Sequence, residues 1–151
     1  MISLKRATSR GFTIVELLIV IVVIGILAGL VIVTYGGIQS KARDDERKTD
    51  VKALQSQLEV YQAQNGKYPT LANVNDATWR STNMKGLESD ALQDPKGSAQ
   101  TLDDAVAANV YAYVVTPANC DNDPAVGGDC TGYTLTATLE GGGTYVKQSL
   151  N

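Results

Sequence analysis

The sequence predicts an α+β fold: a long N-terminal α-helix with an apolar first half, and an amphipathic second half packed on a small antiparallel β-sheet. Three observations predict it. Residues 17–33 are all apolar or glycine, residues 38–65 contain neither glycine nor proline and carry an apolar stripe, and residues 133–139 alternate between apolar or aromatic side chains and threonine.

At 1.5 Å per residue the apolar run alone spans about 26 Å, and its flanks bring it to bilayer thickness. Lys5, Arg6 and Arg10 precede it, and the next basic residue is Lys41. The bias of positive charge toward the cytoplasmic side therefore predicts a single-pass protein, N-terminus in and C-terminus out. A secretory signal peptide is the plainer alternative. Two features oppose it: the run is longer than an ordinary signal core, and no small-x-small cleavage site follows it cleanly. Glu16 is also out of place in such a core, because an acid entering a bilayer is costly and usually has a partner.

The string from Lys5 through Gly11, Phe12 and Glu16 into the apolar run resembles the class III leader of type IV prepilins, in the pilin and pseudopilin superfamily. The resemblance implies that residues 1–11 are a leader, cut by a prepilin peptidase between Gly11 and Phe12. It further implies that Phe12 is N-methylated and that Glu16 serves assembly. A positive amine at Phe12 and the Glu16 carboxylate of a neighbour would neutralise each other in an apolar filament core. Residues 12–37 would then be membrane span and later filament core, 38–65 the amphipathic helix of the head, and 66–151 an αβ-loop followed by the sheet.

Gly25 and Gly29 form a GxxxG, and Gly36 and Gly37 follow; they suit either close helix packing or local softening of the helix. Beyond them Val51, Leu54, Leu58 and Tyr61 make one stripe, which should carry the head. The stretch 41–50 is rich in both signs, with Asp44 four residues before Lys48; this reads as a solvated, locally supported helix face or as charge pairing between subunits. Asn65, Gly66 and Pro69 end the helix, making it about 80 Å long from Phe12. Residues 66–109 read as irregular, with short helices expected at 84–92 and 102–108. Strands are expected at 110–116, 133–139 and 144–148, with the last two joined by a turn at 140–143.

Cys120 and Cys130 are the chain's two cysteines and bracket a turn-rich loop. On the exported side of a membrane they are most simply a disulfide. Asp121, Asp123 and Asp129 in that loop offer carboxylate oxygens to calcium, but they lack the full EF-hand spacing and its closing glutamate.

Composition excludes several functions. There is no histidine, which removes serine–histidine and cysteine–histidine catalysis and the usual zinc sets, and no phosphate-binding glycine loop occurs. No enzyme activity and no cofactor is expected. Of 13 lysines and arginines three precede residue 12, so the body after it sets ten bases against 16 acids. An acidic body disfavours direct nucleic-acid binding.

The expected function is therefore a structural subunit, a major pilin of an extracellular type IV pilus serving adhesion, twitching motility or DNA uptake. Its implied partners are copies of itself, the prepilin peptidase, assembly ATPases and an inner-membrane platform protein. A pseudopilin of a type II secretion system is the alternative from the same superfamily, and a non-polymerising membrane-anchored binding module the alternative of another class.

Overall fold

A computed structural model describes residues 11–151; the leader's Lys5, Arg6 and Arg10 lie outside the described residues. The chain divides into two compact units, one ending at Gln39 and one running Ser40–Asn151.

Helix α1 is Ile14–Asn65, continuous across Gly25, Gly29, Gly36 and Gly37. It stops where the sequence says it should. Gly66 takes φ +76°, a left-handed conformation that only glycine adopts without strain, and its N–H donates to the Gln62 carbonyl at 2.7 Å. Within the second unit Val51, Leu54 and Leu58 of α1 are fully buried, while Tyr61 lies tilted against Trp79 with ring centroids 5.1 Å apart.

The sheet is three antiparallel strands in the order β1-β2-β3: β1 Tyr111–Thr116, β2 Gly132–Thr138 and β3 Thr144–Gln148. Register places Tyr113 beside Leu135 and Leu135 beside Lys147, and Tyr111 beside Ala137 and Ala137 beside Tyr145. Tyr133, Leu135 and Ala137 are buried, as the period-two pattern requires. Thr136 departs from that pattern: it lies on the opposite face yet is 7% exposed. On the central strand it has Ala112 on one side and Val146 on the other. The β2–β3 turn closes through Gly142 and Gly143, both at positive φ, with the Gly142 N–H on the Leu139 carbonyl at 3.2 Å.

The segment between α1 and the sheet differs from expectation. Two short helices form, α2 Leu71–Asn75 and α3 Ala77–Asn83, where an irregular chain was predicted. Their signals were local caps. The Thr70 hydroxyl accepts from the Asn73 N–H at 3.2 Å, and Asp76 accepts from Thr78 at 2.8 Å and Trp79 at 3.1 Å. The helix expected over 84–92 shrinks to a 3-10 turn, Ser89–Leu92. That expected over 102–108 is absent, because long-range bonds claim its backbone. Asp103 gives its N–H to the Tyr111 carbonyl at 2.9 Å and accepts from the Tyr113 N–H at 2.8 Å. The Asn75 side chain holds both the N–H and the carbonyl of Leu102, at 2.8 and 2.9 Å.

Cys120 and Cys130 are bonded, and both are buried. Asn122 docks their loop on the helix exit: its Nδ2 donates to the Tyr68 carbonyl, and its Oδ1 accepts from the Cys130 N–H, each at 2.9 Å. The Tyr68 N–H in turn donates to the Cys130 carbonyl at 2.8 Å. Replacing both cysteines by serine should lower the stability of the second unit by about 3 kcal/mol, the loop-closure value for so short a ring. Denaturant melts of the two forms check this; equal midpoints would show that the hydrogen bonds of Asn122 suffice without the covalent link.

Candidate functional site

Every described side chain from residue 11 to residue 39 is exposed, including Phe12 at 86% and Ile14 at 87%. So long an apolar surface is not stable in water and demands a covering, either acyl chains or other apolar helices. Helix α1 is long and apolar enough to cross a membrane. A Cβ built on Gly25 or Gly29 would meet nothing within 4 Å, so neither glycine is required by a neighbour inside its own unit. Thr34 does not interrupt the apolar surface electrically, because its hydroxyl donates to the Leu30 carbonyl at 2.8 Å.

Glu16 stands in the first turn of α1. Its carboxylate accepts from the N–H of Thr13 at 2.8 Å and from the Thr13 hydroxyl at 2.7 Å, while the Glu16 N–H donates back to that hydroxyl at 3.2 Å. This is a capping box, two donors of the helix start satisfied reciprocally. Thr13 went unnoticed in the sequence although Thr-x-x-Glu is its plain signature. Gly11 and Phe12 precede the helix in an unstructured stretch.

The charged stretch 41–50 divides by face: Lys41, Asp45, Glu46 and Thr49 are exposed, whereas Arg43, Asp44 and Arg47 form a clamp inside the second unit. Arg47 is 1% exposed and forms a two-pronged pair with Asp94, Nε to Oδ2 at 2.6 Å and Nη2 to Oδ1 at 2.9 Å. Its Nη1 also donates to Asp44 at 2.8 Å and to Glu140 at 3.0 Å. The expected support of Lys48 by Asp44 is absent. Lys48 pairs with Asp45 at 3.3 Å, and Asp44 accepts instead from the N–H groups of Glu140 and Gly141 at 2.8 and 2.9 Å. Arg43 at 2.6 Å and Lys96 at 2.8 Å complete the ring around Glu140. Sequence spacing did not reveal this network because Arg47, Asp94 and Glu140 are far apart along the chain.

Two other acids of α1 receive tyrosine hydroxyls. Tyr111 donates to Asp50 at 2.7 Å, and Tyr68 and Tyr133 both donate to Glu59 at 2.8 Å. Burial pushes the Asp50 carboxyl up to about 6, against the opposing pull of the Tyr111 hydrogen bond and with help from nearby Glu46, Asp94 and Asp90. Glu140 moves the other way: Arg43 and then Lys96 hold its carboxyl far below the usual range.

The three loop acids do not converge. The Asp121 carboxylate accepts backbone N–H groups of Asp123 at 2.9 Å and Gly127 at 3.0 Å, and Asp123 accepts from Ala125 at 2.9 Å. Asp129 pairs with Lys67 at 2.9 Å. Among the described residues no group of three or more metal-ligating side chains comes together.

Arg47→Met should cost about 3–5 kcal/mol, because it strands the buried Asp94 carboxylate, and the double variant with Asp94→Leu should recover much of that loss. Denaturant melts of all three forms test this; a double variant as unstable as the single one would count against the pairing. The pH dependence has two limbs. Asp50, raised on folding, adds stability that is full below its ordinary 3.8 and lost as pH climbs through about 6. Glu140, depressed on folding, adds stability that is present above its ordinary 4.5 and lost as pH falls below it. Asp50→Asn should therefore gain on the parent protein as pH rises from 4 to 7, and Glu140→Gln should flatten the acid limb.

With this geometry in place, the comparisons with known proteins become specific. A model of the prokaryotic N-terminal methylation motif matches residues 6–32, and one described as type II secretion system (T2SS), protein G matches residues 35–124. The type II secretion system core protein G of Klebsiella michiganensis is 42% identical over 67 residues, 44% of this chain and 47% of that protein. That of Aeromonas hydrophila is 36% identical over 74 residues, 49% of this chain and 52% of that protein. The type IV major pilin protein of Myxococcus xanthus is 37% identical over 65 residues, 43% of this chain and 30% of that protein. The chain spans about half the length of the first two of these relatives, and no solved structure matches it. The protein G match covers the second half of α1 and most of the head, well over half of the residues, and with the methylation motif ahead of it the chain belongs to the type II secretion system protein G family.

Proposed function

We propose that this chain is a pseudopilin, a filament subunit of a type II secretion system, made as a membrane-anchored precursor and assembled through its apolar helix. The observation that carries this reading is the protein G match over residues 35–124. It moves the balance from the extracellular type IV pilus expected from the sequence to the secretion pseudopilus, and from an extracellular to a periplasmic filament. Members of both groups are structural subunits and not enzymes.

In this reading a prepilin peptidase cuts between Gly11 and Phe12 and methylates the new terminus. The matched methylation motif at residues 6–32 supports that step. In the membrane the capping box holds Glu16 at the positive end of its own helix, where a carboxylate is best tolerated. On assembly the amine of Phe12 and the Glu16 carboxylate of a neighbour neutralise each other, and apolar helices replace lipid around residues 12–37. Gly25 and Gly29 leave open surface for such neighbours. The assembly ATPase and the inner-membrane platform protein are the machinery this mechanism needs.

The type IV pilus remains the second reading, supported by the match to the Myxococcus xanthus pilin. Lys96 follows Asp94-Pro95 in the chain. Here Lys96 has a use of its own, donating to Glu140 at 2.8 Å.

Mass analysis of the mature N-terminal peptide should find methylated Phe12; a start at Met1 would instead fit the non-polymerising binding module. Glu16→Val should be cut normally yet yield few or no filaments, and wild-type filament yield from it would remove Glu16 from assembly. Electron microscopy of the native cell should show no long filaments beyond the envelope, whereas abundant ones would restore the pilus reading.

A further inference from the structure

The head holds one guanidinium with no acid to answer it. Arg80 of α3 is 8% exposed, and its hydrogen bonding is confined to Nη1, which donates to the Val74 carbonyl at 2.5 Å. That contact caps α2 but uses one of five donors. Arg43 and Arg47 both pair with carboxylates, whereas Arg80 has no ion-pair partner among the described residues. No buried side-chain nitrogen or oxygen among the described residues lacks a hydrogen-bond partner. The Nε and Nη2 of Arg80, which bond to nothing in the head, must therefore reach solvent.

Arg80 lines an open pocket of about 380 Å³ together with Ala77, Ser81, Met84, Lys85, Leu87 and Ser89. Two basic residues and two serines are among its lining residues, and no acid is. Lys85 is exposed and likewise without an ion pair among the described residues. Such a set suits a carboxylate on a short methylene stem: the guanidinium and ammonium meet the charge, Ser89 adds a donor, and Met84 and Leu87 contact the stem, while the Ser81 hydroxyl donates to the Thr78 carbonyl at 2.8 Å.

We propose that this pocket receives a carboxylate side chain from a second copy of the chain. The inference rests on the self-assembling subunit proposed above. Charge complementarity selects the occupant. The chain carries 16 acids against 13 bases, and Glu46 and Asp104 are exposed acids without an ion pair among the described residues. A basic pocket and unmatched acids on different parts of one surface make a head-to-tail contact, which is the kind that propagates.

Zero-length carbodiimide coupling tests this directly, because it joins the Lys85 amine only to a carboxylate in contact with it. Full-length chains with light and heavy nitrogen are expressed together, coupled in membranes and in sheared filaments, digested and weighed. The expected result is Lys85 joined to an acid of the opposite isotope, reduced about tenfold in Arg80→Gln, which corresponds to about 1.4 kcal/mol of contact. Lys85→Gln, at an exposed position, should fold normally and give assemblies that fall apart at lower salt. Should Arg80→Gln fail to form the Cys120–Cys130 bond, Lys85→Gln and the wild-type coupling decide alone. Mixed-isotope links without filaments would keep the pocket and remove the filament reading. Filaments whose Lys85 couples only within its own chain, or not at all, would overturn the pocket and leave the filament reading standing.

Discussion

Arg47 is the point on which the second unit turns. A guanidinium that is 1% exposed is tolerable only when its charge and its donors are met, and here Asp94, Asp44 and Glu140 meet them from three parts of the chain. The helix contributes Arg47 and Asp44, the segment after the 3-10 turn contributes Asp94, and the β2–β3 turn contributes Glu140. Apolar packing of Val51, Leu54 and Leu58 brings these parts together without specifying how far each slides along α1. The ion network does specify it, because a two-pronged arginine–carboxylate pair admits few geometries. Asp44 adds a second constraint by accepting both N–H groups at Glu140 and Gly141.

The same helix meets opposite requirements in its two units. Beyond Ser40 it presents polar groups to the sheet in places where an apolar core would do. Glu59 accepts two tyrosine hydroxyls and Asp50 one, so Tyr68, Tyr111 and Tyr133 can be buried with their oxygens satisfied. Up to residue 38 it presents apolar side chains and glycines, with Tyr35, one satisfied threonine and one capped glutamate among them. That surface requires an apolar surrounding, whether acyl chains or other apolar helices.

Much of this was legible from residues alone. The apolar run, the stripe, the Gly66 stop and the alternation of β2 each carry a periodicity or a breaker that few other folds use. The cysteine pair was legible because the nine residues between the cysteines are rich in turn-formers that bring its ends together. The clamp was not legible: Asp44 and Lys48 have good helical spacing, and nothing nearby says that Asp44 prefers a turn 96 residues away. The helices α2 and α3 were legible in principle from Thr70 and Asp76, but short capped helices have little apolar periodicity to announce them.

The sequence by itself determined what each stretch of α1 must face and where the helix must end, since hydropathy, period and a left-handed glycine are local properties. Only the tertiary structure decided that Arg43, Asp44 and Arg47 turn toward Asp94 and Glu140, that Asp103 joins β1 instead of a helix, and that Arg80 is left lining a pocket without acids. Those outcomes depend on which distant donor reaches which acceptor first, a competition settled by desolvation and geometry across the fold and not by any neighbour in the chain.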